Sequence, residues 1–239
     1  MQNLPVSIRS LFNFTIIAAL AASIVACGGD NLPATLATST DTVSLLTSTS
    51  KVKATPVYKV TDLGPSSGTG SSAVAINKGG DVAGYSYNPE RATLWKEGGT
   101  PINLGTLGGN RSYAYGINNA GQVAGISFFS GDAIYHATIW NGTTITDLGT
   151  LGGSSSQAFG INKAGQVVGY SFPASDDRQH ATIWNGTTPT DLGTLGGRDS
   201  IARAINNAGQ VVGYSQLVGD AAHDHATLWN GTKAIDLEH

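Results

Sequence analysis

The sequence predicts an all-β repeat protein: four units of about 44 residues with four antiparallel strands each, most simply closed as a small four-bladed β-propeller. Three observations carry that expectation. Tryptophans recur at Trp95, Trp140, Trp184 and Trp229, spaced 45, 44 and 45 residues apart. Ile-Asn pairs recur at Ile76-Asn77, Ile117-Asn118, Ile161-Asn162 and Ile205-Asn206, spaced 41, 44 and 44 apart. Only 12 % of residues are charged while 32 are glycine, a composition that argues against long helices rich in Glu and Lys. A period of this length, filled with short strands, marks a propeller or a related β array. Each unit of such an array buries its core only by packing on its neighbours.

Residues 1–26 read as a leader. One cation, Arg9, precedes an apolar run from Phe14 to Ala26. That run is shorter than the roughly 20 residues of a membrane-spanning helix and has signal-peptide proportions. It ends Ile24-Val25-Ala26-Cys27-Gly28-Gly29, which resembles a bacterial lipobox, the motif whose cysteine sulfur receives diacylglycerol. Cys27 is the single cysteine of the sequence, so an intramolecular disulfide and Cys-rich metal sites are excluded. The resemblance to lipoproteins of two-membrane bacteria implies a lipid partner at the N-terminus. With Gly28 rather than Asp after the cysteine, it implies the outer membrane. Each buried acyl methylene contributes about 0.8 kcal/mol to such anchoring.

Residues 27–56 hold the lipidated cysteine and a Thr/Ser-rich stretch with Pro33 and Pro56 but no lasting periodicity. They read as a flexible tether, and residues 57–239 as the repeat domain. Net charge is −3, or −4 without the leader, and no basic stripe is present, which removes nucleic acid as a partner.

Each unit shows four β signals. The first is Ser-x-Ala-x-x-Ile-Asn, as in Ser156-Gln157-Ala158-Phe159-Gly160-Ile161-Asn162. Strand alternation places Ser156, Ala158 and Gly160 on one face, with Phe159 and Ile161 on the other. An Asn-x-Ala-Gly-Gln turn follows, with Gly165 expected at positive φ. The second strand is Val167 to Ser171. Its Gly169 has counterparts Gly84, Gly125 and Gly213, where a Cβ is expected to collide with a neighbouring sheet. The third strand is His180-Ala-Thr-Ile-Trp184, closed by an expected Asn185-Gly186 hairpin turn. The fourth runs Thr188 to Leu195 around Asp191-Leu-Gly.

These segments resemble the bacterial extracellular HAF repeat, named for a His-Ala-Phe motif. The matching triplets are His136-Ala-Thr, His180-Ala-Thr and His225-Ala-Thr, together with Asp-Leu-Gly-Thr-Leu-Gly-Gly and Ile-Asn-x-x-Gly-Gln-Val, over about residues 57–237. Thr replaces the namesake Phe, and Arg91 replaces the His in the first unit. The resemblance implies a propeller-like fold and no defined activity.

Strand bookkeeping is uneven. Three-strand sets fall at about 71–95, 112–140, 156–184 and 200–229, whereas fourth-type strands fall five times, starting with Val57–Gly64. A four-bladed ring, an open stack and a segment of a longer array all fit this count. The ring is favoured because it leaves no sheet edge to pair with other chains.

Loops joining strands two and three, and those entering the next unit, emerge on one side and vary from copy to copy. The candidate ligand face there comprises Arg111, Asp132, Asp176, Asp177, Arg178, Arg198, Asp199, Asp220, His223 and Asp224. Such charged groups suit a glycan or protein ligand. The repeated His136, His180 and His225 suggest hydrogen bonding within each unit rather than a metal ring, because they do not lie on the innermost strand. No Gly-x-Ser-x-Gly elbow is present, and the recurrent Ser71, Ser112, Ser156 and Ser200 read as structural. No catalytic, metal or cofactor-binding residue is assigned. The expectation is a lipid-anchored binding or interaction module of the bacterial envelope, facing the periplasm or the surface. The alternatives are a carbohydrate-active hydrolase or lyase on the variable loop face, and a purely structural envelope protein.

Overall fold

The computed structural model describes residues 59–175 and 177–238; the leader, Cys27, the tether and Asp176 lie outside the described residues. Among the described residues every regular element is a strand. Sheet I contains β1 (Gly70–Ile76), β2 (Val82–Tyr87), β3 (Arg91–Trp95) and β4 (Ile102–Asn103). Sheet II contains β5 (Ser112–Ile117), β6 (Gln122–Phe128), β7 (Tyr135–Asn141) and β8 (Thr144–Asp147). Sheet III contains β9 (Gly152–Ile161), β10 (Val167–Pro173), β11 (His180–Asn185) and β12 (Thr188–Asp191). Sheet IV contains β13 (Gly196–Ile205), β14 (Val211–Leu217), β15 (Asp220–Asn230) and β16 (Lys233–Asp236). Within each sheet the strands pair antiparallel in chain order, so the four sheets are the four sequence units. The expected fourth strands are shorter than predicted, because Leu192 to Leu195 leave the sheet as a loop.

Local chemistry explains the turns. Asn118 Oδ1 accepts from the N–H groups of Ala120 and Gln122, both at 3.0 Å, and Asn162 and Asn206 repeat the arrangement. Gly165 has φ 80°, as expected for this turn. The hairpin between β11 and β12 sits one residue later than expected: Asn185 pairs with Thr188, so the turn residues are Gly186 and Thr187. Gly186 has φ 61° while Thr187 keeps negative φ, and a two-residue turn with positive φ only at its first position calls for glycine there.

A β-bulge in each first strand changes which residues share a face. Ala158 pairs with Gly169 and Gly160 with Val168, so Phe159 has no partner. Val74, Tyr115 and Arg203 are skipped in the same way in sheets I, II and IV. An extra residue shifts the alternation by one. Ile161 therefore joins Ala158 in one core cluster, where unbroken alternation had placed it on the opposite face. The bulge also explains Gly169. A Cβ there would lie 1.8 Å from the Gln157 carbonyl oxygen, so the obstacle is the adjacent strand of its own sheet.

The core lies between consecutive sheets. Trp140 packs with Ala83, Ala92 and Leu94 of sheet I and Leu104 just past it, Trp184 with Ala124 and Ala137 of sheet II and Leu148 just past it, and Trp229 with Val168, Ala181 and Ile183 of sheet III and Leu192 just past it. All three indoles are fully buried, and truncating such a Trp to Ala costs about 3–5 kcal/mol. The recurrent serines fasten the same interfaces: Ala137 N donates to Ser156 Oγ, and Ser156 Oγ donates to Gly149 O. They are structural, as the repeat suggested.

Residues 59–64 form no strand, contrary to the Val57–Gly64 expectation, yet they mimic the end of a preceding unit. Trp95 Nε1 donates to Gly64 O at 2.7 Å and Ser71 Oγ donates to the same oxygen. Sheets I–II, II–III and III–IV each form a packed interface; among the described residues no packed interface joins sheet IV to sheet I.

Candidate functional site

The strand bulges build a surface that the repeat pattern concealed. At the skipped position the inner strands carry Val74, Tyr115, Phe159 and Arg203, and these vary while the surrounding Ser-x-Ala and Ile-Asn residues recur. Tyr115 and Phe159 rings stand 5.8 Å apart, and the Arg203 guanidinium lies 4.4 Å from the Phe159 centroid and 5.3 Å from that of Tyr214. Tyr113 stacks on Tyr115 at 6.4 Å and meets Tyr85 of sheet I edge-on at 5.0 Å. Phe159 continues to Tyr170 at 6.0 Å, and Tyr170 to Phe172 at 6.0 Å. One row of aromatic and guanidinium groups thus crosses all four sheets. Each such ring pair contributes about 0.5–1.5 kcal/mol beyond its burial.

The hydroxyls of Tyr115 and Tyr170 are held above the ordinary phenol range. Burial, then the neighbouring tyrosines, pushes Tyr115 up to about 12. Burial and the hydrogen bond with Tyr135 raise Tyr170 further still. Tyr135 Oη and Tyr170 Oη lie 3.1 Å apart, and Tyr170 Oη donates to Gln157 Oε1 at 3.1 Å. These groups offer hydrogen bonds and ring faces.

Beside the row, a cleft of about 380 Å³ opens between the β10–β11 loop and sheet IV, lined by Phe172, Asp177, Arg178, Asp199, Tyr214 and Asp224 among others. Four sequence-predicted residues, Asp177, Arg178, Asp199 and Asp224, therefore do come together. Their carboxylates are largely engaged. Asp177 accepts from Ser175 Oγ at 2.6 Å and from Arg178 Nε at 3.1 Å, and the hydrogen bond from Ser175 leads in holding it below the ordinary carboxylate range. Asp199 Oδ1 accepts from Gln179 N at 2.9 Å, tying the loop to the next unit.

The remaining candidates lie elsewhere. Asp132 accepts from Asn110 N at 2.8 Å, and Arg111 donates to the Asp132 carbonyl while lying 4.2 Å over the Phe128 ring, so this pair organises the sheet II rim. Asp220 pairs with His223 at 2.9 Å within the β14–β15 hairpin, and the hydrogen bond from His223 leads in lowering the Asp220 carboxyl. Arg198 is exposed and does not line the cleft. Asp176 and Cys27 fall outside the described residues.

The repeated histidines behave as internal fasteners. His136, His180 and His225 contact Asp147, Asp191 and Asp236 through Nδ1 at 2.8, 2.7 and 3.1 Å. In the first unit both partners change together, to Arg91 and Asn103; Arg91 donates instead to the carbonyls of Glu90 and Asn110. Among the described residues no group of three or more His, Cys, Asp or Glu side chains is placed to hold a metal.

Sequence reasoning missed the aromatic row. Its signal was present as the variable x positions inside an otherwise constant Ser-x-Ala-x motif, but only the bulge brings residues from different units into line. Set against known proteins, the chain matches no family model, and the comparison with curated proteins gave no match either.

Proposed function

We propose that this protein is a lipid-anchored binding module of the bacterial envelope, taking a glycan across the inner-strand row and the adjoining cleft. The row itself carries the reading. Half-buried aromatic faces suit the apolar faces of sugar rings, while Tyr hydroxyls, Gln157, Arg203 and the cleft carboxylates suit ring hydroxyls. Variation at these positions within a constant scaffold supports a surface specialised for a ligand. The anchoring half of the proposal rests on the lipobox resemblance at Cys27 and on the resemblance to extracellular HAF repeats, with the outer membrane as the address.

A glycoside hydrolase reading finds less support. The carboxylates that shift, Asp177, Asp191 and Asp220, all shift downward, whereas a glycosidase general acid needs a carboxyl held above its ordinary value.

The test is a glycan array followed by calorimetry on the full chain. Binding should weaken at least tenfold in Tyr115→Ala and in Arg203→Ala, with Arg203→Ala still folded and its melting temperature lowered by no more than a few degrees from the loss of its contacts with Phe159 and Tyr214. Affinity for envelope proteins but no glycan, or glycan binding indifferent to both substitutions, would overturn the assignment.

A further inference from the structure

The three sheet interfaces share one polarity, and the two ends of the series display its unmatched halves. Asn77 Nδ2 donates to Asn118 O at 3.2 Å, Asn118 Nδ2 to Asn162 O at 3.1 Å, and Asn162 Nδ2 to Asn206 O at 3.3 Å. Alongside, Lys78 N donates to Asn119 Oδ1 and Lys163 N to Asn207 Oδ1, both at 3.0 Å. Each unit is donor to the next.

The series stops at sheet IV. Asn206 Nδ2 reaches Gln210 Oε1, as its counterparts do, but no carbonyl of a further unit accepts from it among the described residues. Asn206 is exposed, where Asn118 and Asn162 are 5 % and 3 % exposed. At the other end, among the described residues Asn77 O accepts from Gly80 N alone, while Asn118 O accepts from both Gly121 N and Asn77 Nδ2.

The apolar surfaces stop in the same complementary way. Ala83, Ala124 and Val168 are fully buried against the following sheet, but their equivalent Val212 is 42 % exposed. Ile117, Ile161 and Ile205 pack against the preceding sheet, but their equivalent Ile76 is 69 % exposed. Val212 and Leu228 line an apolar hollow of about 370 Å³, and Ile76 and Val82 one of about 290 Å³.

We infer that sheet IV of one copy docks on sheet I of a second copy, repeating the internal interface across two molecules. Val212 and Leu228 then meet Ile76 and Val82, and Asn206 Nδ2 donates to Asn77 O. The bonding pattern would follow the II–III interface, where a lysine likewise occupies the position after the accepting Asn. Residues 59–64 already fill the place that Leu237 and Glu238 would occupy in such a junction. Leu63 and Gly64 keep that place, with Gly64 O bonded to Trp95 Nε1 and Ser71 Oγ, so the contact between copies is carried by Val212, Leu228 and Asn206 rather than by Leu237 and Glu238. The contact is heterologous, joining unlike surfaces, so it closes into a ring when the rotation allows and otherwise extends. Two copies would supply eight units, within the range of propellers.

The polarity gives a decisive test. The full chain in mild detergent is measured by size-exclusion chromatography with light scattering, alongside Ile76→Arg and Val212→Arg. Both substitutions fall on exposed positions, so circular dichroism and melting temperature of the monomer should not change. The parent chain should form dimers or longer head-to-tail assemblies, and each variant alone should be monomeric. An equimolar mixture of the two variants should recover a dimer, because sheet IV of Ile76→Arg and sheet I of Val212→Arg are both intact. A monomeric parent at high concentration, or association that survives either single substitution, would sink the inference.

Discussion

Asn118 Nδ2 donates to the carbonyl oxygen of Asn162, 3.1 Å away and 44 residues further along the chain. The same side chain binds Gln122 Oε1 and accepts from Ala120 N and Gln122 N. One residue thus closes its own turn and fastens its sheet to the next, which is why the Ile-Asn pair keeps the repeat period.

Replacing Asn118 with Ala should cost about 2–4 kcal/mol, because two backbone N–H groups lose their acceptor and the Asn162 carbonyl loses one of its two donors. Asn206→Ala, which removes the same turn bonds at an exposed site and no bridge, should cost about half as much in dilute solution. Urea denaturation monitored by Trp fluorescence checks both. Equal losses at the two positions would show that the bridge between sheets contributes nothing.

Gly169→Ala should destabilise by about 3 kcal/mol, because the new methyl meets the Gln157 carbonyl and the bulge holds that strand in place. Gly186→Ala, with open space around its Cβ but φ 61°, should cost about 1 kcal/mol. Thermal melts of the two variants separate close approach from backbone conformation; a milder effect at Gly169 than at Gly186 contradicts the geometry.

The pair of His180 and Asp191 links stability to pH. The hydrogen bond that His180 Nδ1 donates to Asp191 raises His180 above the ordinary imidazole value, against an opposing effect of burial. Burial alone would raise Asp191, but the bonds from His180 and Gly193 N and the imidazolium charge together hold it low. A raised histidine stabilises fully below its unfolded value of about 6.5 and loses that contribution as pH climbs through the folded value. A lowered aspartate contributes above its unfolded value of about 3.9 and loses that as pH falls through the folded one. The pair should therefore help most between about pH 4 and 6.5. Asp191→Asn should shift the His180 titration, followed by NMR, downward and flatten the decline in stability from pH 6.5 to 8. An unmoved His180 titration would refute the pairing.

Cys27→Ala should abolish partitioning with membranes if the lipobox reading is right, since a thioether-linked lipid would be the anchor. Fractionation of cells expressing the parent and variant chains reads this directly, and a variant that still sediments with membranes defeats it.

Much of the fold was legible because the repeat is written in local chemistry. Asn opens each turn with its own side chain, Gly supplies positive φ, and a Trp closes each third strand, so unit length and strand number follow from spacing. The His-Asp fasteners were foreshadowed by their constant position. The candidate site was harder to read. Asp177, Arg178, Asp199 and Asp224 shared a face of the repeat and do meet in one cleft, but Arg111 and Asp132 serve their own rim, and Tyr115, Phe159 and Arg203 went unnoticed.

The sequence by itself determined four units, their antiparallel strands and a Trp near the end of each third strand; that the Trp of sheets II, III and IV packs on the sheet before it is seen only in the fold. Tertiary structure decided the phase of the inner strand. Strand alternation is a local rule, whereas a bulge exists only where a paired strand opposes one residue with two. Gly169 permits that squeeze against Gln157 and Ala158, and the displaced Phe159 then faces Arg203 of the next sheet, 44 residues away. No window of sequence shorter than that pairing contains the information.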